Sequence, residues 1–196
     1  MGTTGIILAG GKSRRFHGDK TQIEWNRKTL TEDLAARFGA YFDQVLIVSG
    51  SRGKFHIAGA AEAVDLYPGK GPLGGIHAGL LAAEHEACFV MACDMPFFDG
   101  QAAGRLLKEE ADWDIVAPVR DGRPEPLFAV YHRRLAKQIE ALLCEDRLAV
   151  RGLFDCCRAR YVQTDEWEGA ERLFYNINYP EDYTKLHNMA EKHGEE

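Results

Sequence analysis

A short apolar segment that ends in two glycines most constrains what this chain can fold into. Residues 4–8 form a short segment rich in β-branched and apolar residues. This pattern predicts a strand that is buried on both faces. Gly10 and Gly11 follow, and glycine permits a sharp turn that brings backbone N–H groups close to a ligand. Four cations come next, at Lys12, Arg14, Arg15 and Lys20. This combination is typical of a phosphate-binding loop, although a plain strand-exit turn with a solvated basic face is the alternative.

Two well-known phosphate loops are excluded by their spacing. A Walker A loop needs a glycine five positions before Gly11, and this chain has Ile6 there. A dinucleotide fingerprint needs Gly-x-Gly-x-x-Gly at the start of a helix, and no such spacing surrounds Gly10 and Gly11. The segment is therefore neither an ATPase P-loop nor a Rossmann turn.

Length and composition favour a cytoplasmic enzyme. The 196 residues fit one α/β domain, residues 1–196, and contain no transmembrane run. No basic leader or apolar signal core precedes the first strand, so we expect a cytoplasmic protein that does not bind membranes. The five cysteines are odd in number and lie mostly in apolar contexts, which favours reduced thiols. A net charge of −6 argues against nucleic-acid binding through a basic surface.

The rest of the chain alternates between strand and helix patterns. Helical spacing covers residues 29–38, 73–83, 101–110 and 133–143, and a last helix begins near residue 179. Extended segments cover residues 45–48, 88–92, 114–118, 127–131, 160–163 and 174–177. Asp121 and Gly122 form a turn between two of these strands, so an antiparallel pair follows the parallel half. The pattern predicts an α/β fold with a mostly parallel, mixed sheet.

An aspartate at a strand end is the second chemical marker. Asp94 follows the apolar residues 89–92 and precedes Pro96. In open α/β sheets, ligands bind at the carboxyl ends of the strands. Mg²⁺ needs only one or two carboxylates when a nucleotide supplies phosphate oxygens. Asp94 therefore predicts a magnesium site on the same edge as the phosphate loop, whereas the bland alternative is a helix cap or a turn.

A glycine-rich loop is the third marker. Asp65 precedes a Gly71-Pro-Leu-Gly-Gly sequence whose last two glycines open a predicted helix, leaving room for a flat base. A carboxylate offers only acceptors, and guanine presents two adjacent donors, so Asp65 suits guanine or ribose hydroxyls. A structural crossover loop explains the pattern equally well. His77, in the same helix, could approach substrate, although packing is its more ordinary role.

Asparagines near the end of the chain form the last marker. Residues 174–177 are predicted to be extended, and Asn178 follows them directly. Because side chains alternate along an extended segment, Asn176 and Asn178 lie on one face, where their amides could contact ligand oxygens. Helix capping by Asn178 is the alternative, because Tyr179 and Pro180 follow it.

Together these motifs resemble the molybdenum cofactor guanylyltransferase family. Residues 8–20 match its Leu-Ala-Gly-Gly-x-Ser-x-Arg-Met-Gly-x-Asp-Lys signature, with Phe16 and His17 where Met-Gly is typical and Gly18 at the position before Asp-Lys. The Cys-Asp-x-Pro element at Asp94, the glycine loop after Asp65 and the Asn-x-Asn ending follow in the family's order. The resemblance thus covers nearly the whole chain.

The resemblance implies a three-layer, doubly wound sheet of the nucleotide-diphospho-sugar transferase type. It also implies transfer of GMP from GTP to the terminal phosphate of molybdopterin, with Mg²⁺ on Asp94. Arg15 and Lys20 would hold the β- and γ-phosphates beside the backbone of residues 10–13. The implied nucleotide-binding residues are Leu8, Ala9, Gly10, Gly11, Lys20, Asp65, Gly71 and Asp94, with Asn178 as a further candidate. Transient contacts with cofactor-delivering and molybdoenzyme-maturation proteins would accompany this role.

Three other functions stay open. A cytidylyltransferase for the same cofactor typically has Leu-Ala-Ala-Gly, whereas this chain has Gly10 at the third position. Other small-molecule nucleotidyltransferases share the general signature but are usually longer. A nucleotide-binding regulator without turnover is the non-enzyme alternative, and the presence of Arg15, Lys20 and Asp94 argues against it.

Overall fold

A mixed eight-stranded sheet forms the middle layer of the molecule. The structure is a computed structural model that describes residues 2–10, 24–25, 28–177, 179 and 182. Its strands are β1 (Thr3–Leu8), β2 (Glu24–Trp25), β3 (Lys28–Thr29), β4 (Gln44–Ser49), β5 (Ala61–Val64), β6 (Ala87–Ala92), β7 (Ile115–Arg120), β8 (Arg123–Pro124), β9 (Phe128–His132) and β10 (Ala159–Gln163). Its helices are α1 (Leu30–Phe38), α2 (Pro72–Ala82), α3 (Gly100–Lys108), α4 (Ala136–Cys144), α5 (Val150–Phe154) and α6 (Ala170–Leu173).

The strand order is β10-β7-β9-β6-β1-β4-β5, with β8 paired to β7. Strand β1 runs parallel to both β4 and β6, and β4 runs parallel to β5. Strand β9 is antiparallel to β6 and β7, while β10 is parallel to β7. Strands β2 and β3 form a separate antiparallel ribbon. The prediction of a mostly parallel, mixed sheet is therefore confirmed.

Helices cover both faces of the sheet because side chains alternate along each strand. On β1, Ile6 and Leu8 pack with α2, α4 and α5 on one face. Ile7 and Ala9 pack with α1, α3 and Leu173 on the other face. Strands β1, β4 and β6 are apolar and almost wholly buried, as expected for parallel strands covered by helices on both sides. The three-layer architecture follows directly.

The direction of the connections reverses at β1. The chain moves from β1 outward to β4 and β5, and then α2 carries it back to β6 on the opposite side of β1. Leu8 lies in register with both Val48 and Ala92. In open α/β sheets such a reversal marks the crevice where ligands bind, so we expect the ligand at the carboxyl ends of β1 and β6.

Most of the predicted elements exist, with small shifts of their ends. One prediction is wrong: residues 174–177 do not form a strand, since Phe174 ends α6 with φ −99° and ψ 17°. Strand β5 and helix α5 were not predicted. The last predicted helix, from residue 179, lies almost wholly outside the described residues. No helix in the described part of the chain has the length and hydrophobicity that a bilayer crossing requires.

Candidate active site

The predicted site residues that the structure describes lie at one edge of the sheet. Gly10 follows β1, Asp65 follows β5, and Asp94 follows β6, so all three leave parallel strands at their carboxyl ends. The Cys93 amide donates to the Leu8 carbonyl at 3.0 Å, which joins the two strand exits beyond the sheet. The predicted residues Gly11, Arg15, Lys20 and Asn178 lie outside the described residues. The prediction that the phosphate loop after β1 and Asp94 after β6 start from the same edge of the sheet is confirmed.

Asp94 occupies the centre of this edge. Its residue is partly exposed, and its carbonyl accepts a hydrogen bond from the Ile177 amide at 2.8 Å. Among the described residues, no three His, Cys, Asp or Glu side chains are grouped closely enough to hold a metal ion. A partly exposed carboxylate at a strand end nevertheless suits Mg²⁺, which takes its other ligands from phosphates and water.

Asp65 is held in place by its own loop. Its amide donates to the Ser49 carbonyl, and its Oδ1 accepts from the Tyr67 amide, both at 2.8 Å. The carboxylate then lies against the first turn of α2, where a Cβ on Gly74 would come within 2.8 Å of Oδ1. Gly74 is thus required by the position of the Asp65 carboxylate.

Gly71 sets the start of α2. Its φ of 73° and ψ of −163° favour glycine, and it precedes Pro72 at the first helical position. No side chain caps this helix, and no acidic residue lies in its first turn. The amide-rich N-terminus of α2 therefore faces the same edge as the Asp65 loop, with a partial positive charge.

Close packing of α2 on β1 fixes the geometry of this edge. A Cβ on Gly75 would lie 3.2 Å from Leu8, and one on Gly79 would lie 2.7 Å from Ile6. The sequence predicted that the glycines make room for a base. In the structure Gly74 instead makes room for Asp65, and Gly75 makes room for Leu8. Gly74 and Gly75 thus allow Asp65 and Leu8, two predicted nucleotide-binding residues, to pack closely against α2, and they do not leave an open space for a base.

His77 is a core residue behind the Asp65 loop. Its side chain is buried, and neither ring nitrogen has a hydrogen-bond partner in the described part of the chain. The Tyr67 ring meets it edge-on with ring centroids 5.4 Å apart. Burial lowers the pKa of His77, although the nearby Glu140 and Asp65 carboxylates oppose this. His77 therefore packs as a neutral imidazole.

The turn after β7 contributes a group that the sequence did not single out. Asp121 and Gly122 adopt positive φ values of 50° and 70°, as predicted for the turn, and connect Arg120 to its register partner Arg123. Glu125 follows, with its carboxylate Oε1 3.7 Å from Nε of Arg120. Burial raises the pKa of the Glu125 carboxyl, and the Arg120 guanidinium opposes that rise. The available signal was a carboxylate between two prolines, directly after a charged turn.

Asn176 does not lie on an extended face as predicted. Its Nδ2 donates to the Phe174 carbonyl at 3.4 Å within a local turn. The predicted strand that would place Asn176 and Asn178 on one face is not formed by residues 174–177.

Comparisons with known proteins agree on one family. The model of the MobA-like NTP transferase domain matches residues 5–162. A relative from Pelotomaculum thermopropionicum named "Probable molybdenum cofactor guanylyltransferase" is 34% identical, over 96% of this chain and 93% of the relative. A relative of the same name from Peptoclostridium acidaminophilum is 35% identical, over 95% and 89%. The crystal structure of molybdopterin-guanine dinucleotide biosynthesis protein A from Archaeoglobus fulgidus superposes with a TM-score of 0.82 at 25% identity, covering 96% of this chain and 99% of that chain.

Proposed function

Since the chain belongs to the MobA-like NTP transferase family and is a nucleotidyltransferase of the molybdenum cofactor guanylyltransferase type, we propose that it transfers GMP from GTP to the terminal phosphate of molybdopterin. The products are molybdopterin guanine dinucleotide and pyrophosphate. The observation that carries the proposal is the meeting of the β1 and β6 exits. There the glycine of the phosphate signature, Gly10, and the partly exposed Asp94 follow the carboxyl ends of neighbouring parallel strands.

The nucleotide lies on the β1–β4–β5 side of this edge in the proposal. The backbone at Leu8, Ala9, Gly10 and Gly11 approaches the phosphates, with Arg15 and Lys20 supplying positive charge to the β- and γ-phosphates. The Asp65 carboxylate accepts from guanine or from the ribose hydroxyls, while the N-terminus of α2 at Gly71 attracts negative charge. Asn178 remains a candidate contact for ligand oxygens.

Mg²⁺ would be held by Asp94 and by phosphate oxygens, and when bound it would offset negative charge on the triphosphate. The described residues supply one carboxylate at this place, which is sufficient when the nucleotide provides the remaining oxygen ligands. The rest of the machinery consists of backbone amides and cations that hold the leaving group.

The reaction requires positioning rather than a protein nucleophile. A terminal phosphate oxygen of the acceptor attacks the α-phosphorus of GTP, a new O–P bond forms, and the bond between the α-phosphorus and the bridging oxygen breaks. The acceptor phosphate is already ionised at neutral pH, so no general base is needed. The donors around residues 10–13, Arg15 and Lys20 hold the departing pyrophosphate in line with the attack.

The guanine preference is supported by Gly10 in the Leu-Ala-Gly-Gly order and by the names of the relatives. A panel of nucleotides tests it. Purified protein is incubated with Mg²⁺, molybdopterin and GTP, CTP or ATP, and pyrophosphate release is measured. We expect turnover with GTP to exceed that with CTP or ATP by about 100-fold or more, because each hydrogen bond that the wrong base leaves unmade costs about 1–3 kcal/mol. Equal use of CTP would overturn the guanine assignment, and release with none of the three would favour the regulatory alternative.

A further inference from the structure

The hairpin of residues 120–127, here the acceptor hairpin, lies at the same edge as Asp94 but on the opposite side of β6 from the nucleotide residues. We propose that this hairpin binds the 2-amino-4-oxo pyrimidine ring of the pterin acceptor. In this subsite the Glu125 carboxylate accepts hydrogen bonds from the ring N–H and the 2-amino group. The proposal rests on the proposed function, because that function supplies the pterin.

Backbone contacts place the acceptor hairpin next to the reaction centre. The Leu127 carbonyl accepts from the Ala92 amide at 3.1 Å, and Phe128 lies in register with Met91. Asp94 is only two residues beyond Ala92. The Leu127 end of the hairpin therefore lies one strand away from the strand that carries the metal-binding candidate.

The Glu125 carboxylate has unused capacity to accept hydrogen bonds. Its side chain is only 24% exposed, and no donor within the described residues hydrogen-bonds to it. The Nε of Arg120, at 3.7 Å, is too far for a hydrogen bond and supplies only charge. A half-buried carboxylate of this kind favours a ligand with two adjacent N–H donors, because it can accept on both oxygens. The pyrimidine edge of a pterin presents this pair of donors.

Arg120 ties the acceptor hairpin to the segment that contacts Asp94. Its Nη1 donates to the Phe174 carbonyl at 3.4 Å, and its guanidinium lies 5.8 Å from the centroid of the Phe174 ring. Three residues later, the Ile177 amide donates to the Asp94 carbonyl at 2.8 Å. Hairpin, segment and strand exit thus form one hydrogen-bonded unit, and a ring bound at Glu125 has a fixed position relative to Asp94.

The position of Asp65 argues that Glu125 does not read the guanine. Asp65 follows β5, which is three strands from β6, or about 14 Å at the usual strand spacing. The acceptor hairpin joins β7 to β9, and β9 is the neighbour of β6 on the other side. An extended dinucleotide product with its phosphates near Asp94 would place its two ring systems on these opposite sides.

A binding measurement tests the subsite without turnover. The intact protein is titrated with the fluorescent probe 6-hydroxymethylpterin and with 6-hydroxymethyllumazine, in which an oxo group replaces the 2-amino donor. We expect the wild type to prefer the pterin by about tenfold, the value of one charge-assisted hydrogen bond. Glu125→Ala and Glu125→Gln should lose that preference. Asp121→Asn is the matched control, since Asp121 is a 91%-exposed carboxylate on the same hairpin and asparagine tolerates its positive φ.

Turnover separates this subsite from the proposed reaction. With molybdopterin as acceptor, Glu125→Ala should raise the KM for molybdopterin about tenfold and leave the KM for GTP unchanged. Unfolding curves confirm that each variant is folded. If the wild type transfers no GMP but its pterin preference depends on Glu125, the reaction fails and the subsite stands. If transfer is normal and the preference survives in both Glu125 variants, the subsite is overturned and the reaction stands.

Discussion

The two flanks of β6 present different chemistry at the same edge of the sheet. On the parallel flank, β1, β4 and β5 end in glycines and a carboxylate that are fixed by backbone contacts, such as Asp65 against Gly74. On the mixed flank, the acceptor hairpin after β7 presents long charged side chains from Arg120 to Glu125. The parallel flank is therefore suited to position a phosphate chain through its backbone, whereas the mixed flank is suited to bind a ligand through its side chains.

Asp94 stands between the flanks, so its loss has the largest expected effect. Asp94→Ala should reduce turnover by about 10³-fold or more, because both substrates meet at this carboxylate in the proposal. The measurement is pyrophosphate release at saturating GTP and molybdopterin.

The matched control for Asp94 is Asp99→Ala in the same strand exit. The Asp99 carboxylate accepts from the Gln101 amide at 2.7 Å and caps α3. Its loss should cost about 1 kcal/mol of stability and leave turnover nearly normal. Normal turnover in Asp94→Ala would show that the two substrates do not meet at the Asp94 carboxylate.

Gly74→Ala should disturb the parallel flank alone. The new Cβ would come within 2.8 Å of Asp65 Oδ1 and 3.2 Å of the Tyr67 carbonyl, so the carboxylate must move. We expect the KM for GTP to rise about tenfold, with the KM for molybdopterin unchanged. Steady-state kinetics with each substrate varied in turn provides the measurement.

Gly104→Ala is the control for that substitution. Gly104 lies inside α3, and a Cβ there would meet no heavy atom within 4 Å. Alanine should therefore stabilise the protein by about 0.5–1 kcal/mol and change neither KM. An unchanged KM for GTP in Gly74→Ala would show that Asp65 does not contact the nucleotide.

The smallest expected effect concerns the pH dependence of stability, and it tests whether His77, a buried residue of the parallel flank, is neutral. Since burial holds the pKa of His77 below its ordinary value, the unfolded chain takes up the proton first as the pH falls below about 6.5. Stability therefore decreases as the medium becomes acidic. His77→Leu should make the loss of stability between pH 7.5 and 5 smaller, as measured by urea unfolding. Identical losses in both proteins would contradict a neutral buried imidazole.

The sequence predicted the parallel flank better than the mixed flank for a physical reason. Buried parallel strands have continuous apolar runs, so β1, β4 and β6 and their exits at Gly10 and Asp94 were predictable. Strand β5 is not predictable because its four residues, Ala61–Val64, form no continuous apolar run: they include Glu62, whose carboxylate accepts a hydrogen bond from the Gly53 amide of the preceding loop. The sequence predicts a strand at Phe174, where the structure has the end of α6, because an aromatic, buried residue suits a strand and a helix end equally well.

Contacts between distant residues could not be read from spacing. The glycines after Gly71 indicated a close approach, but only the folded chain shows Asp65 and Leu8 as the groups that approach. The position of Glu125 between two prolines does not by itself indicate a binding role, because the burial of its side chain depends on how the acceptor hairpin packs beside Phe174.

A structure with α,β-methylene-GTP and Mg²⁺ tests the division of the edge into two flanks most directly. The methylene bridge prevents transfer, so the nucleotide stays in its starting position. We expect the α-phosphate beside Asp94 and the guanine or ribose against Asp65 and the first turn of α2, with the acceptor hairpin free of nucleotide. A guanine bound at Glu125, on the far side of β6, would contradict it.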